Sequence, residues 1–438
     1  MPDFQINNSE KERTFLVGAE VRSARPLLSL ADSLSELGLL ADTAGLEVVG
    51  QATQHLQQID PNTYIGSGKA EEVREAAIEA NAEVIIFDDE LSPRHQRQLE
   101  KVFGEGIKVL DRSALILDIF AQHAHTREGA LQVELAQYEY LLPRLTRQWT
   151  HLERQAGGGA GRGGTGGVGL RGPGETQLEV DRREIGRKIT RLKEELERVR
   201  LHRRQHRQQR SRAGIPVIVL VGYTNAGKST LLRALTGDDI YVADQLFATL
   251  DPLTRRIDLA SGRHVIITDT VGFIQKLPTT LIAAFRATLE EVKEADLLLH
   301  VVDTAHPNVI QQIEAVEDTL AEIDTPPIPK VLVWNKIDKW GDQPLPQRPP
   351  TENYDREVTV SAQTGYGMNA LLDALETTLA SHLRKVKLLI PYQRGDVVSL
   401  LFESANVEHQ EHQEAGVLMT VQLPLSLYER FQEFVVDR

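Results

Sequence analysis

No cysteine occurs anywhere in this chain. Disulfides and thiolate metal sites are therefore excluded. A long apolar run is missing as well, since no stretch stays apolar for the ~18 residues that a membrane-spanning helix needs. The first residues, MPDFQINNSEKERTF, are polar and lack the apolar core of a secretory signal. The expectation is a cytoplasmic protein with no membrane span. An overall positive charge is also lacking. The 49 Lys and Arg stand against 63 Asp and Glu, a net −14, which argues against a surface that coats nucleic acid generally.

That average hides one exception. From Arg182 to Arg212 there are 13 Lys or Arg and 4 Asp or Glu, a local +9, so the other residues carry −14 − 9 = −23. One basic segment on an acidic protein suits a local contact with a polyanion. A hydrophobic content of 41% is enough for real cores, and the length suggests about three domains at roughly 150 residues each.

The most informative stretch is IPVIVLVGYTNAGKSTLLRALT, residues 215–236. Ile215 to Val221 reads as a buried strand, and Thr230 to Ala234 has helical spacing. Between them lies Gly222-Tyr223-Thr224-Asn225-Ala226-Gly227-Lys228-Ser229, the G-x-x-x-x-G-K-[ST] phosphate loop. Its glycines let successive backbone N–H groups turn towards one anion, and the helix N-terminus adds partial positive charge. Lys228 is expected to reach the β- and γ-phosphates. The Ser229 hydroxyl is expected to ligate Mg2+.

Upstream, residues 14–110 alternate. Strand patterns at Thr14–Val21, Leu46–Thr53, Glu83–Phe87 and Ile107–Leu110 interleave with helical ones at Leu27–Leu40, Lys69–Ala80 and Ser92–Phe103. This order predicts an N-terminal α/β domain, residues 1–110, with a mostly parallel sheet. Gly66-Ser-Gly-Lys69 reads as a helix start, with a second nucleotide or an RNA phosphate as the other reading. The following residue, Ala70, cannot ligate a metal.

Residues 111–212 are different. Leu131, Leu135, Tyr138, Leu142, Leu145 and Trp149 form a heptad stripe, in which Pro143 is expected to kink the helix. Leu178, Ile185, Ile189, Leu192, Leu196 and Val199 form a second stripe. Together they predict an antiparallel helical hairpin. Its tip, residues 157–174, is 11 glycines in 18 residues and carries Arg162 and Arg171. Composition alone allows a flexible linker. A glycine-rich, arginine-dotted tip on a stiff hairpin also suits a narrow polyanionic space. Arg200, Arg203, Arg204 and Arg207 extend the basic face, and RNA phosphate is the expected partner.

Residues 213–380 read as a P-loop GTPase domain. A hairpin at Ile257–Leu259 and His264–Thr268 ends in Asp269-Thr-Val-Gly272-Phe273. An Asp at a strand end followed by x-x-Gly fits a switch that senses Mg2+ and the γ-phosphate. Asp269 is expected to hold the ion through water, and the Gly272 N–H to meet the γ-phosphate. Thr249 is preferred as the threonine that completes the metal shell, with Thr254 as its competitor. Lys228 and Gly272 are thus the expected catalytic pair. Strands at Leu297–Val302 and Lys330–Trp334 lead to Asn335-Lys336-Ile337-Asp338. A carboxylate at Asp338 can accept both N1–H and N2–H of guanine, whereas adenine offers no such donors. Asn335 is expected to brace the phosphate loop, Lys336 to lie along the base, and backbone N–H groups at Ser361 and Ala362 to meet guanine O6. The guanine-nucleotide pocket therefore comprises residues 222–230, Asp269, Gly272, Asn335, Lys336, Asp338, Ser361 and Ala362, with Thr230 closing the loop. Residues 381–438 read as a small α+β domain, with strands at Val386–Asp396, Val397–Ala405 and Gly416–Leu423 and a helix at Leu427–Phe434.

With GYTNAGKST, DTVGF, NKID and SAQ in one domain, the chain resembles the translation-factor-related GTPases. The domain order, and above all RGPGETQLEVDRR from Arg171, is similar to the HflX family over nearly the whole length. FATLDPLTR, from Phe247, is similar to that family's switch I, where the threonine matching Thr249 senses magnesium. The resemblance implies a GTPase that binds the large ribosomal subunit near its active centre, and a monomer is expected. It implies splitting or rescue of stalled ribosomes under stress, and contact of the tip and hairpin with ribosomal RNA. Many GTPases place a water-orienting glutamine where this chain has Phe273, so slow intrinsic hydrolysis is expected. Asn225 matches the asparagine with which potassium-activated GTPases hold K+, or it braces the turn. Two other readings stand beside this one. One is a slow-hydrolysing GTP-binding regulatory protein whose hairpin binds protein. The other is a partner in RNA modification, for which no second catalytic constellation is seen.

Overall fold

Short β-branched runs and amphipathic stretches alternate along most of the chain, and a computed structural model arranges them into three sheets. It describes residues 11–22, 26–145, 173–212, 215–237, 245–276, 291–323, 325–341, 343–347, 354–381, 383–424, 428 and 431–436. The chain falls into two compact units, Met1–Arg198 with Lys276–Phe285, and Val199–Gln275 with Arg286–Arg438.

In the first unit, β1 (Arg13–Val21), β2 (Glu47–Leu56), β3 (Val84–Phe87) and β4 (Lys108–Asp111) form a parallel sheet in the order β2-β1-β3-β4. Helices α1 (Leu30–Thr43), α2 (Ser67–Glu79) and α3 (Pro93–Phe103) connect the strands. Their starts are chemically marked. Ser29 accepts the Asp32 N–H, and Ser92 accepts the His95 N–H with Pro93 opening the helix. Gly66 precedes α2, which begins at Ser67, so this stretch is a helix start, and Lys69 pairs with Glu72 at 2.6 Å within it. Ile65, Val73, Ile85, Phe87 and Leu99 sit in one core on this sheet.

Helix α4 (Arg112–His123) is capped by Asp111, and α5 (Arg127–Leu141) by Thr126. The long α6 spans Pro173–Arg212, 40 residues. Leu135, Leu192 and Leu196 pack together with Leu131, Tyr138 and Ile189. Glu139 pairs with Lys193 at 2.8 Å and Arg127 lies 3.9 Å from Glu195. These pairings run in opposite senses along the two helices, so α5 and α6 form the antiparallel hairpin that the two stripes predict. Pro143 does more than kink the first helix. The helix ends at Leu141 and the chain turns through Leu145, because proline has no N–H for the next turn and its ring crowds the preceding one. There Arg144 donates to Leu91 O at 2.6 Å and lies over the Tyr140 ring. Trp149 and residues 157–172 of the tip, with Arg162 and Arg171, lie outside the described residues, and Pro173 and Gly174 open α6. Arg200, Arg203, Arg204 and Arg207 all fall on α6.

In the second unit, six strands run in the order β10-β9-β8-β5-β7-β6. They are β5 (Val217–Val221), β6 (Leu253–Asp258), β7 (His264–Asp269), β8 (Leu297–Asp303), β9 (Lys330–Asn335) and β10 (Arg356–Thr359). All pairs are parallel except β6–β7. Helices α7 (Lys228–Thr236) and α9 (Met368–Ser381) contribute Leu231, Leu232, Leu371 and Leu375 to one core, and α8 (Val309–Glu322) packs Val309 and Ile313 on Trp334 in another. β5 is flanked by β7 on one side and β8 on the other, the place where open parallel sheets bind ligands at their carboxyl ends.

The last segment corrects the sequence reading. Val397–Ala405, expected as a strand, lies in α10 (Gly395–Ser404), with Val397 and Leu401 buried one turn apart. The sheet is antiparallel, β11 (Leu383–Ile390), β13 (Gly416–Pro424) and β12 (Asn406–Gln413), in the order β11-β13-β12. β12 is polar and exposed at the edge, so it carries no alternating pattern. Within the expected helix at Leu427–Phe434, the described residues Tyr428 and Phe431 are helical, and a 3-10 turn follows at Gln432–Phe434. Among the described residues no helix is long and apolar enough to cross a membrane.

Candidate nucleotide site

Two glycines shape the loop that leaves β5. Gly222 has φ +149°, and a Cβ there would lie 2.2 Å from the Val301 carbonyl oxygen. Gly227 has φ +93°, and a Cβ there would lie 2.4 Å from Asn335 Nδ2. Both positions are left to glycine by space and by backbone sign. Asn225 between them is also left-handed at φ +58°, which asparagine tolerates better than most residues.

Helix α7 begins at Lys228, whose ammonium is buried and donates to the carbonyls of Gly222 at 3.0 Å and Tyr223 at 2.9 Å. Burial drags its pKa down to about 8, and Lys336 adds to this while Asp269 opposes it. A buried cation whose hydrogen-bond partners among the described residues are neutral carbonyls gains from an arriving anion. Ser229 Oγ donates to Asp269 Oδ2 at 2.6 Å and lies 2.7 Å from Thr249 Oγ1. Asp269 is fully buried, and its Oδ1 has no hydrogen-bond partner among the described residues. Burial raises its pKa, and the nearby Lys228, Ser229 and Thr249 do not outweigh that. One carboxylate and two hydroxyls form a hard oxygen set suited to Mg2+, and the orphaned Oδ1 is the atom such an ion or its water would satisfy. Among the described residues no cluster of three or more His, Asp or Glu offers another metal site. Thr254 lies elsewhere, on β6, 3.2 Å from Thr268 Oγ1.

The chain after β7 is zipped to the phosphate loop. Phe273 N–H donates to Gly222 O at 3.1 Å, and Thr224 N–H donates to Phe273 O at 2.8 Å. Gln275 N–H donates to the Tyr223 hydroxyl at 2.9 Å. A Cβ on Gly272 would lie 2.7 Å from Thr224 Cα and 3.1 Å from Lys228 Nζ. The cavity bounded by Thr224, Lys228, Ser229, Thr249 and Gly272 is accordingly small, about 50 Å³.

Across the loop, Asn335 is buried. Its Nδ2 donates to Ala226 O at 2.9 Å and its Oδ1 accepts the Ala362 N–H at 3.0 Å. One amide thus ties the phosphate loop to the Ser361–Ala362 turn. Lys336, at φ +61°, donates to Asn225 O and to Asp303 Oδ2, both at 2.8 Å. Asp338 is exposed on the 3-10 turn Ile337–Lys339. Ser361 is buried, its Oγ accepting the Thr364 N–H at 3.2 Å. Asp303 is the residue that the sequence reading passed over. It ends β8 as Asp269 ends β7, and that shared position is the signal that could have marked it. Ala226 is buried and Thr230 follows Ser229 in the first turn of α7.

Similarity to known proteins is extensive. Residues 31–121 match a family described as GTP-binding GTPase N-terminal, and 123–210 a GTP-binding GTPase middle region. Residues 217–336 match a family described as 50S ribosome-binding GTPase, and 349–432 the HflX C-terminal domain. The chain is 44% identical to GTPase HflX of Caldanaerobacter subterraneus subsp. tengcongensis over 428 residues, covering 98% of this chain and 95% of that one. With GTPase HflX of Escherichia coli strain K12 it shares 46% identity over 396 residues, 90% of each. A solved GTP-binding protein from the archaeon Sulfolobus solfataricus, in complex with GDP, aligns over 84% of this chain and 99% of its own at 22% identity and TM-score 0.42.

Proposed function

The chain belongs to the HflX family of GTPases, and from that premise we propose that its GTP hydrolysis is coupled to the ribosome through the α5–α6 hairpin. The guanine base lies against Asn335, Lys336 and Asp338, with N–H groups at Ser361 and Ala362 towards O6. Residues 222–230 cradle the phosphates, and Lys228 and the Gly272 N–H meet the γ-phosphate. Ser229 and Thr249 would hold Mg2+, with Asp269 acting on it through water. When bound, the ion neutralises charge that builds on the β- and γ-phosphate oxygens. Asn225 is the candidate ligand for K+ beside them.

The partner is the large ribosomal subunit. The observation that carries this is that the basic run, +9 over Arg182–Arg212, lies on one continuous helix, Pro173–Arg212. A helix so one-sided in charge suits a phosphate backbone. Arg162 and Arg171 at the tip, with Arg200, Arg203, Arg204 and Arg207, are the proposed contacts to ribosomal RNA. The family described as 50S ribosome-binding GTPase supports the same partner. Separation or rescue of stalled ribosomes under stress, in the cytoplasm, is the corresponding role. Phe273 offers no polar atom to the attacking water, so the particle is expected to raise a low basal rate.

The test is GTP turnover with and without purified large subunits. Acceleration of at least tenfold is expected. Replacing Arg200, Arg203, Arg204 and Arg207 with glutamine should abolish the acceleration and flatten the salt dependence of binding, with basal turnover unchanged. An unchanged rate on adding subunits sinks the proposal in favour of a slow GTP-binding regulator.

A further inference from the structure

The segment that should meet the γ-phosphate has a gap in its chemistry. Phe273 follows Gly272 and is buried, with its backbone N–H and C=O committed to Gly222 and Thr224. Hydrolysis of GTP forms a bond from a water oxygen to Pγ and breaks the Pβ–O–Pγ bridge. GDP carries off the electron pair, and the water's proton passes to the phosphate oxygens. A polar group that holds the water or the γ-oxygens in line is worth most in that transition state, and Phe273 has none.

We propose that the Thr224 hydroxyl is that group. Thr224 is only 5% exposed, and its Oγ1 is buried with no hydrogen-bond partner among the described residues. Thr224 is one of the residues lining the cavity, and a buried hydroxyl is ordinarily satisfied, so this orphan fits a partner that comes with the ligand. The position agrees. Thr224 Cα and Cγ2 lie 2.7 and 2.8 Å from the point where a Gly272 Cβ would stand, and Lys228 Nζ lies 3.1 Å from the same point. The P-loop lysine, the switch glycine and Thr224 therefore converge on one end of the cavity, the end assigned above to the γ-phosphate, and the inference rests on that assignment. The Thr224 backbone cannot take the role, since its N–H already donates to Phe273 O at 2.8 Å. A purely steric role for this side chain would need only its methyl and branching, which valine also has.

Comparison of Thr224→Val with Thr224→Ser decides it, with the full chain and no ribosome present. Valine keeps shape and removes the hydroxyl, and serine keeps the hydroxyl. The expected result for valine is an unchanged affinity for GDP, kcat down about 100-fold, and an equal loss of affinity for GDP with aluminium fluoride. Serine should stay within threefold of wild type on all three. Valine behaving like wild type with GDP and aluminium fluoride overturns the proposal. So does a valine variant that loses GDP affinity as strongly as turnover, which would make the Thr224 hydroxyl a contact of the diphosphate and not of the reacting group. Ribosomal stimulation is read separately. If large subunits fail to stimulate wild type while valine is selectively impaired in the transition-state complex, the ribosomal reading falls and the role of Thr224 stands.

Discussion

Asp88 follows β3 in the first unit and Asp269 ends β7 in the second, and both are fully buried at the carboxyl end of a parallel strand. Their surroundings are opposite. Asp88 Oδ1 pairs with Arg112 at 2.6 Å, its Oδ2 accepts from Ser33 at 2.6 Å, and Lys276 of the same unit pairs with it too. Arg112 in turn pairs with Glu36 at 2.6 Å. Burial alone would raise the Asp88 pKa, but Arg112 and Lys276 outweigh it, and the carboxyl is held below its ordinary value. Among the described residues Asp269 has no arginine partner and keeps one oxygen unpaired, so burial wins and its pKa is raised. A buried carboxylate with every lone pair answered is a structural element. One left half answered is shaped for something that arrives later.

The widest separation between the two should be in stability. Arg112→Met takes the buried partner from Glu36 and from Asp88 Oδ1, leaving Asp88 to Lys276 and Ser33, and should cost about 3–5 kcal/mol, read by urea unfolding without nucleotide. Asp269→Asn removes a charge that the nucleotide-free fold disfavours, so the same measurement should give equal or greater stability. Loss of stability in both variants would erase the distinction. Turnover should reverse the ranking. Asp269→Asn is expected to lose about 100-fold in kcat, of the size seen when one charge-stabilising group is removed, whereas Asp88→Asn should stay within about threefold per folded molecule. Steady-state GTP hydrolysis, normalised to GDP-binding sites, checks this.

Acid titration sharpens the contrast with a smaller effect. For Asp88 the folded pKa lies below the unfolded value of about 3.9, so its contribution is present above that pH and is lost as pH falls through the folded value. For Asp269 the folded pKa lies above about 3.9. Its contribution is present below that pH and is lost as pH rises through the folded value. Subtracting the stability curve of each Asn variant from wild type should therefore give slopes of opposite sign. Slopes of the same sign would mean that burial dominates at both sites.

Much of the candidate nucleotide site is legible in sequence because its demands are local. Gly222 and Gly227 are fixed by backbone sign and by approaches of 2.2 and 2.4 Å that no side chain survives. Those constraints fall inside an eight-residue motif flanked by a strand and a helix. The Asp88–Arg112–Glu36 group is silent for the opposite reason. Its members lie 24 and 76 residues apart in the chain, and nothing local marks a surface aspartate from a buried one. Asp303 and Lys336, 33 residues apart, meet only because β8 and β9 are neighbours. Val397–Ala405 was ambiguous since a dense apolar run satisfies both a period of two and a period of 3.6. The pairing of β12 depends on its partner β13 and not on its own polar side chains.

His300 tests how far the comparison reaches. It is fully buried on β8, and its Nε2 is unpaired among the described residues, as Asp269 Oδ1 is. The chemistry differs. Burial lowers the His300 pKa, so the ring is neutral. Glu317, which burial would raise, is drawn down to about 2 by the nearby polar Nδ1 of His300 and by Lys330, and is an anion. The Tyr354 hydroxyl donates to Glu317 at 3.0 Å, so it can accept from His300 Nδ1 at 2.8 Å. That assigns the proton to Nδ1 and leaves Nε2 as a bare lone pair on an uncharged ring. An unanswered neutral lone pair is cheaper than an unanswered carboxylate oxygen, and it calls for no ligand. Tyr354→Phe should then cost about 1 kcal/mol, the worth of an ordinary hydrogen bond, because Lys330 still holds Glu317. GTP turnover should be unchanged. A loss beyond about 3 kcal/mol in urea unfolding, or a turnover that falls with it, would mean that unpaired atoms on this sheet act alike whatever their charge, and the distinction drawn from Asp88 and Asp269 would have to be abandoned.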